Sequence, residues 1–172
     1  MADTLTTLKT RRSCRAYRSE HVEQEKLDAI IEAGTYAPTG MGKQSPIILV
    51  VRDPEIRATL TRLNAAARGM DIDSFYGAPE LLVVLANRAI PTYIYDGSLV
   101  MGNMMNAAAD LGVASCWIHR AKEEFESEEG KAILRQLGIE GDYEGIGNLI
   151  LGYAAKPTGE AAPRKADYVY TL

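Results

Sequence analysis

Apolar residues along this chain recur either with helical spacing or in short uninterrupted runs. Helical spacing is clear over residues 22–36, where an apolar stripe predicts a helix that Pro38 ends. Short runs of branched apolar residues are typical of buried strands. On this basis the pattern predicts strands at residues 46–51, 81–86, 115–118 and 149–153.

Three further helices are predicted around these strands. Asp53 can cap a helix that has Pro54 in its first turn and runs to about Arg68. Apolar residues surround the whole circumference of segment 95–111, which predicts a largely buried central helix. Segment 123–137 is rich in charge, which predicts an exposed helix.

These elements and the composition indicate one α+β domain over residues 1–172. Apolar residues make up 47% of the chain and charged residues 24%, as in ordinary globular proteins. Residues 168–170, near the end of the chain, are compatible with an additional edge strand. The net charge of −4 argues against a general nucleic-acid binder. No apolar run approaches the ~20 residues that a membrane-spanning helix requires.

The two cysteines, Cys14 and Cys116, are too few for the disulfide framework of a small secreted domain, which favours a cytoplasmic protein. Neither they nor His21 and His119 have the spacing of metal ligands, so no metal site is predicted. We interpret His119 as a surface or loop residue, since no carboxylate partner can be assigned to it.

Arg11, Arg12 and Arg15 place three guanidinium groups within five residues. Guanidinium is well shaped to bind phosphate through paired, charge-assisted hydrogen bonds, and Ser13 adds a hydroxyl donor. The cluster fits either an anion-binding cradle or a basic, solvated turn. These residues alone leave both interpretations open.

Segment 37–46 contains Gly40 and Gly42, which permit the backbone to approach a ligand closely. Gly42 and Lys43 resemble part of a P-loop, but Gln44 stands where that motif needs Ser or Thr, and the segment follows a helix. A glycine-rich dinucleotide fingerprint after a strand is also missing from the sequence. Taken alone, the segment is an ordinary helix-to-strand connection.

Several segments, taken in order, resemble the nitroreductase family of FMN-dependent oxidoreductases, over a stretch from Leu8 to about Ala166. Gly42 differs from the family, in which many members have Asn. The segments that carry the resemblance are Arg11-Arg12-Ser13-x-Arg15, Ala37-Pro38-Thr39-Gly40 followed by Gln44 and Pro46, Phe75-Tyr76-Gly77-Ala78-Pro79, Asp96-Gly97-Ser98, Leu111-Gly112, Ser115-Cys116-Trp117-Ile118 and Pro163-Arg164-Lys165.

The resemblance implies a mixed, mainly antiparallel sheet flanked by helices. It also implies an intertwined homodimer with FMN at the subunit interface, in which the tail of one chain crosses to the other. The apolar central helix agrees with this, because a dimer interface buries such a helix more readily than a lone domain does.

The resemblance further assigns residues to the flavin. The phosphate is expected to contact Arg11 and Ser13, with Arg12 along the flavin tail. Arg15 is expected at the N1–O2 edge, where a cation stabilises the anionic reduced flavin. The other expected contacts are Arg164 and Lys165 at the phosphate, Asn64 at the pyrimidine ring, Pro38, Thr39, Gly40 and Gln44 from the other subunit, and the backbone of Ser115, Cys116, Trp117 and Ile118 near N5.

The implied reaction is hydride transfer from NADH or NADPH to flavin N5, and then to a small acceptor such as a nitroaromatic or a quinone, with ping-pong kinetics. Because the flavin carries the hydride, no side chain is assigned as a catalytic acid or base. Two alternatives stay open. One keeps the fold and FMN but reduces an alkene, removes a halide or takes electrons from a reduced protein. The other is a non-enzymatic dimer that binds FMN or another phosphate-bearing ligand.

Overall fold

An antiparallel sheet separates two helical layers in the computed structural model, which describes residues 3–172. In that part of the chain the strands are β1 (Pro46–Val50), β2 (Glu80–Asn87), β3 (Ala114–Ile118) and β4 (Tyr143–Gly152). They lie side by side in the order β1-β2-β4-β3, so β1 and β3 form the two edges.

Helices cover both faces of the sheet. Asp53 caps the third helix as the sequence predicts, by accepting hydrogen bonds from the amides of Glu55 and Ile56, and Gly69 ends it in the left-handed conformation at φ 70°. The helices are α1 (Thr4–Thr10), α2 (Gln24–Thr35), α3 (Pro54–Arg68), α4 (Tyr93–Asp110), α5 (Ala121–Glu126) and α6 (Glu128–Gln136), with a 3₁₀ turn at Gly40–Gly42.

Successive residues of β2 belong to two different cores, because side chains alternate across a strand. Leu82 and Val84 pack with α2 and α4, whereas Leu81 and Val83 pack with α3, α5 and α6. None of the helices in residues 3–172 is both long enough and apolar enough to cross a membrane.

The residues before α2 extend the sheet beyond β3. Ser13 forms a parallel bridge with Ser115, and the Cys14 amide donates to the Ser115 carbonyl at 2.9 Å. Tyr17 forms an antiparallel bridge with Ala154, just after β4. The basic cluster is therefore fixed along the β3 edge, and the expectation of a mainly antiparallel α+β fold is confirmed.

Two predictions for the second half of the chain are wrong. Segment 123–137 is not one exposed helix, because Ser127 is extended (ψ 156°) and separates α5 from α6, whose side chains Phe125 and Leu134 are buried. Residues 168–170 form no strand in the structure and lie exposed on the tail.

Two further elements differ from the sequence pattern. β4 begins well before the predicted start at residue 149, at Tyr143. The sequence pattern does not predict helix α1, because its only long apolar residues, Leu5 and Leu8, form no buried apolar stripe and both are exposed.

Candidate functional site

Arg11 and Arg12 line a cavity of about 270 Å³ at the β3 edge of the sheet. Helix α1 ends at Arg11, whose amide donates to the Thr7 carbonyl. The cavity is closed by the C-terminal end of α4, by Ser115 of β3 and by Lys156, which follows β4. Two arginines, a lysine and a serine therefore line one small space.

Three polar atoms of this cavity are buried and have no hydrogen-bond partner among the described residues. They are Nη1 of Arg11, Nε of Arg12 and Oγ of Ser115. Another nitrogen of Arg12, Nη1, is held by the carbonyls of Lys9 and Arg11. Because buried polar groups are almost always hydrogen-bonded, these atoms fit an anionic ligand such as a phosphate group.

Ser13 and Arg15 are exposed on either side of the buried Cys14. In an extended segment, alternate residues point to the same side, so Ser13 and Arg15 project away from the core. Both side chains are therefore available to a ligand that lies along this edge of the sheet.

Arg164 and Lys165, expected at the phosphate, do not line this cavity. Both are on the exposed tail, where Arg164 donates to the Ala162 carbonyl and the ammonium of Lys165 lies 5.7 Å from the centre of the Tyr168 ring. Within one chain, the basic residue after β4 that lines the cavity is Lys156. Lys156 lies beside the Ser13–Tyr17 segment because Tyr17 pairs with Ala154, just after β4, and no sequence motif signals that pairing.

Asn64 points into the core between α3 and α5 and is only 1% exposed. Its amide nitrogen donates to the His119 carbonyl at 2.8 Å and to Oε1 of Glu124. With both amide hydrogens used inside the protein, this geometry speaks against contact with a flavin ring. We therefore leave Asn64 out of the site proposed below.

The loop that contains Thr39 and Gln44 lies at the other end of the molecule, beside the first turn of α4. Asp96 of that turn is buried and accepts hydrogen bonds from the Gly40 amide and the Ser45 hydroxyl, both at 2.9 Å. Oγ1 of Thr39 accepts from the Gln44 amide at 3.1 Å. The loop is thus well ordered, with Pro38 and Gln44 exposed.

The packing of this loop against Thr92 explains why residue 40 is a glycine. A Cβ atom at this position would lie 2.2 Å from Oγ1 of Thr92, which is too close for any other residue. Met41 and Gln44 adopt positive φ angles of 53° and 50°, which few non-glycine residues do. The loop therefore holds a defined shape before any ligand is considered.

The two groups of expected site residues lie far apart within one chain. The Arg11 cavity borders Ala109 near the end of α4, whereas Asp96 near its start holds the Gly40 loop. Thirteen helical residues span about 20 Å. The two groups also flank opposite edges of the sheet, so one chain does not bring them to a common small pocket.

β3 offers its backbone rather than its side chains. The side chains of Cys116 and Ile118 are buried in the α3–α5 core. Trp117 packs against Gly147, where a Cβ atom would lie 2.2 Å from the indole Nε1. The strand then turns at the exposed His119 and at Arg120, which is left-handed at φ 81°.

In residues 3–172 no group of three or more His, Cys, Asp or Glu side chains is arranged to hold a metal ion.

A sequence profile of the nitroreductase family matches residues 8–71 and 68–153, which together span most of the chain. The chain belongs to the nitroreductase family.

Solved structures of the nitroreductase family have the same fold. Nitroreductases with bound FMN from Bacteroides fragilis and Desulfitobacterium hafniense superpose with TM-scores of 0.88 and 0.87, at 29% and 26% sequence identity, and each match covers 100% of both chains. An FMN reductase [NAD(P)H] from Bacillus subtilis is 36% identical over 91 residues, which cover 52% of this chain and 34% of that protein.

Proposed function

We propose that this nitroreductase-family protein is an FMN-dependent oxidoreductase that transfers hydride from NADH or NADPH to a small electron acceptor. The observation that carries the proposal is the set of unpaired buried atoms of Arg11, Arg12 and Ser115 in one cavity at the β3 edge. The FMN-bound members of the family with the same fold support the choice of ligand.

Arg11, Arg12 and Lys156 are the residues that we propose for the phosphate, together with Ser115 and the exposed Ser13. A phosphate monoester carries nearly two negative charges at neutral pH, and guanidinium groups bind its oxygens in pairs. Each hydrogen bond to a charged group contributes about 1.5–3 kcal/mol. We propose that these unpaired groups donate to the phosphate oxygens when the cavity is filled.

FMN supplies the hydride acceptor and donor when it is bound. Arg15 is the cation that we propose for the pyrimidine edge, because it is exposed on the same side as Ser13. The backbone of β3 around Trp117 is proposed to lie along the ring. The protein then binds and orients the reactants, and solvent supplies the protons.

The site is proposed to form between two copies of the chain. The loop with Pro38, Thr39, Gly40 and Gln44 is about 20 Å from the Arg11 cavity along α4 of its own chain. Tyr95 and Leu99 of α4 are exposed large apolar residues, as is Leu5 of α1. A second copy that covers this face buries these side chains and brings its own loop to the flavin.

Absorption spectroscopy tests the proposal. The purified protein, reconstituted with FMN, should show a flavin spectrum that NADH or NADPH bleaches without oxygen, and a nitroaromatic or quinone should restore it. A spectrum that neither nicotinamide bleaches would favour another reaction on the same cofactor. A protein that cannot be reconstituted with FMN would favour a different phosphate-bearing ligand.

The two cysteines in the described part of the chain are buried and unpaired. This state matches the reducing interior of a cell, and we propose a cytoplasmic enzyme on that ground.

A further inference from the structure

Glu124 is a fully buried carboxyl group for which the proposed reaction has no use. It lies on α5, directly after the turn that ends β3, and is 0% exposed. The side-chain amides of Asn64 and Asn148 both donate to its Oε1, the latter at 2.8 Å. Its other oxygen, Oε2, and Oδ1 of Asn148 have no partner among residues 3–172.

These two unpaired oxygens point to a protonated Glu124. A carboxylic acid and a primary amide can pair through two hydrogen bonds, in which the amide N–H donates to one acid oxygen and the acid O–H donates to the amide oxygen. Asn148 already makes the first bond. A proton on Oε2 supplies the second and removes both unpaired acceptors at once.

The surroundings of Glu124 also favour the neutral acid. Burial, with a smaller contribution from the negative charge of Glu123, raises its pKa to about 8 against the opposing hydrogen bonds from Asn64 and Asn148. The polar groups in contact with the Glu124 carboxyl are neutral Asn64 from α3 and neutral Asn148 from β4, and the charged group that acts on it is Glu123 on α5 itself. Gly130 of α6 packs against the Glu124 backbone.

The same network holds the turn that follows β3. Asn64 donates its second amide hydrogen to the His119 carbonyl at 2.8 Å, and the Glu124 amide donates to the Arg120 carbonyl at 3.1 Å. Arg120 needs such support, because a left-handed φ of 81° is strained for a residue other than glycine. The side-chain network thus fixes the His119 carbonyl through Asn64, while the Arg120 carbonyl is held by the first backbone hydrogen bond of α5.

We infer that Glu124, in its protonated form, is a positioning residue that holds the His119–Arg120 turn at the flavin site. The inference rests on the proposed function, in which the backbone of β3 lies along the flavin ring. Loss of the proton leaves a charge on the unpartnered Oε2 of a fully buried side chain. An uncompensated buried charge favours movement toward water, so α5 shifts outward and displaces the turn that leads into it.

Glu124→Gln tests the inference, because glutamine imitates the neutral acid and its own amide can donate to Asn148. The measurement is the rate constant of flavin reduction by NADH or NADPH, in stopped flow without oxygen, from about pH 6 to about pH 9.5. In the parent the rate should decline through the titration of Glu124, by up to about tenfold per pH unit above it. Glu124→Gln should lack this decline. Glu123→Gln, at the exposed neighbouring position, should keep it.

Infrared spectroscopy of the FMN-bound protein gives a second readout that does not depend on turnover. The parent should show the C=O band of a protonated carboxyl at pH 7, the band should vanish above about pH 9, and Glu124→Gln should lack it. A parent without this band, or a Glu124→Gln variant with the parental pH profile, overturns the inference. If FMN binds but neither nicotinamide reduces it, the proposed function fails. The infrared band and the pH dependence of FMN affinity then decide the inference by themselves.

Discussion

Replacing Glu124 by Gln removes a carboxyl group whose burial raises its pKa from 4.5 to about 8. The unfolded chain loses this proton near the ordinary pKa, whereas the native protein keeps it up to about pH 8. Between these values the native state binds more protons than the unfolded state. The free energy of unfolding of the parent therefore falls as the pH rises through this window, and the Gln variant is free of that loss.

The magnitude follows from the same shift, since each pH unit between the two pKa values is worth about 1.4 kcal/mol. Relative to strongly acidic pH, the parent should lose about 1 kcal/mol by pH 5 and about 3 kcal/mol by pH 7. The loss should level off at about 5 kcal/mol near pH 9, where the native carboxyl is ionised as well. The advantage of Glu124→Gln over the parent should grow by these amounts.

Urea denaturation at pH 5, 7 and 9 measures this difference, at one protein concentration and with saturating FMN, because ligand and assembly both shift apparent stability. Glu123→Gln serves as the control, because it keeps the Glu124 carboxyl and should lose stability with rising pH as the parent does. The loss should level off at a slightly lower pH, since the charge of Glu123 contributes to the raised pKa of Glu124. A stability difference between Glu124→Gln and the parent that stays constant with pH would refute the argument that Glu124 is protonated in the native state.

Three further outcomes test the site. Arg11→Ala should weaken FMN binding by about 1.5–3 kcal/mol in a fluorescence titration, and an unchanged affinity would contradict the cavity assignment. Lys156→Ala should weaken FMN binding while Lys165→Ala should not; the opposite order would return the phosphate contact to the tail. Arg11→Glu and Gln44→Trp should each lose FMN as homodimers, yet their mixed dimer should regain it at one of two sites. If heterodimers are shown to form but bind no FMN, the Arg11 segment and the Gln44 loop serve a site within one subunit.

Elements with a local chemical signature could be predicted from the sequence. Asp53, Pro54 and the final Gly69 define α3 because capping and helix termination depend on neighbouring residues alone. β4 was predicted too short because its first half is buried without being apolar. Gly145 is required by close packing, since a Cβ atom there would lie 2.1 Å from the Ala121 carbonyl oxygen, and Asn148 is buried because Glu124 binds it. The residues responsible, Ala121 and Glu124, are distant from β4 in the sequence, so the pattern of β4 alone does not predict its full length.

The candidate site likewise contains residues that the sequence predicts and residues whose place depends on the fold. The basic cluster is contiguous in sequence, so Arg11 and Arg12 could be predicted as an anion site, and the structure adds the unpaired atoms that favour this over a solvated turn. Lys156, which we propose for the phosphate, has no sequence signal, because its place beside the cavity depends on the pairing of Tyr17 with Ala154, just after β4. The family resemblance assigns Asn64 to the flavin, and the sequence gives no sign that its amide donates to His119 and Glu124 inside the protein.

We propose that helix α4 lets one chain hold both halves of a site that only a dimer completes. Its first turn fixes the Gly40 loop through Asp96, and its last turn borders the Arg11 cavity. In the homodimer that we propose, a two-fold axis across the exposed face of α4 sets two copies of this helix antiparallel. The start of one α4 then lies beside the end of the other, and each Arg11 cavity receives the partner's loop. A site built in this way exists only in the dimer, so dissociation and loss of FMN should occur together.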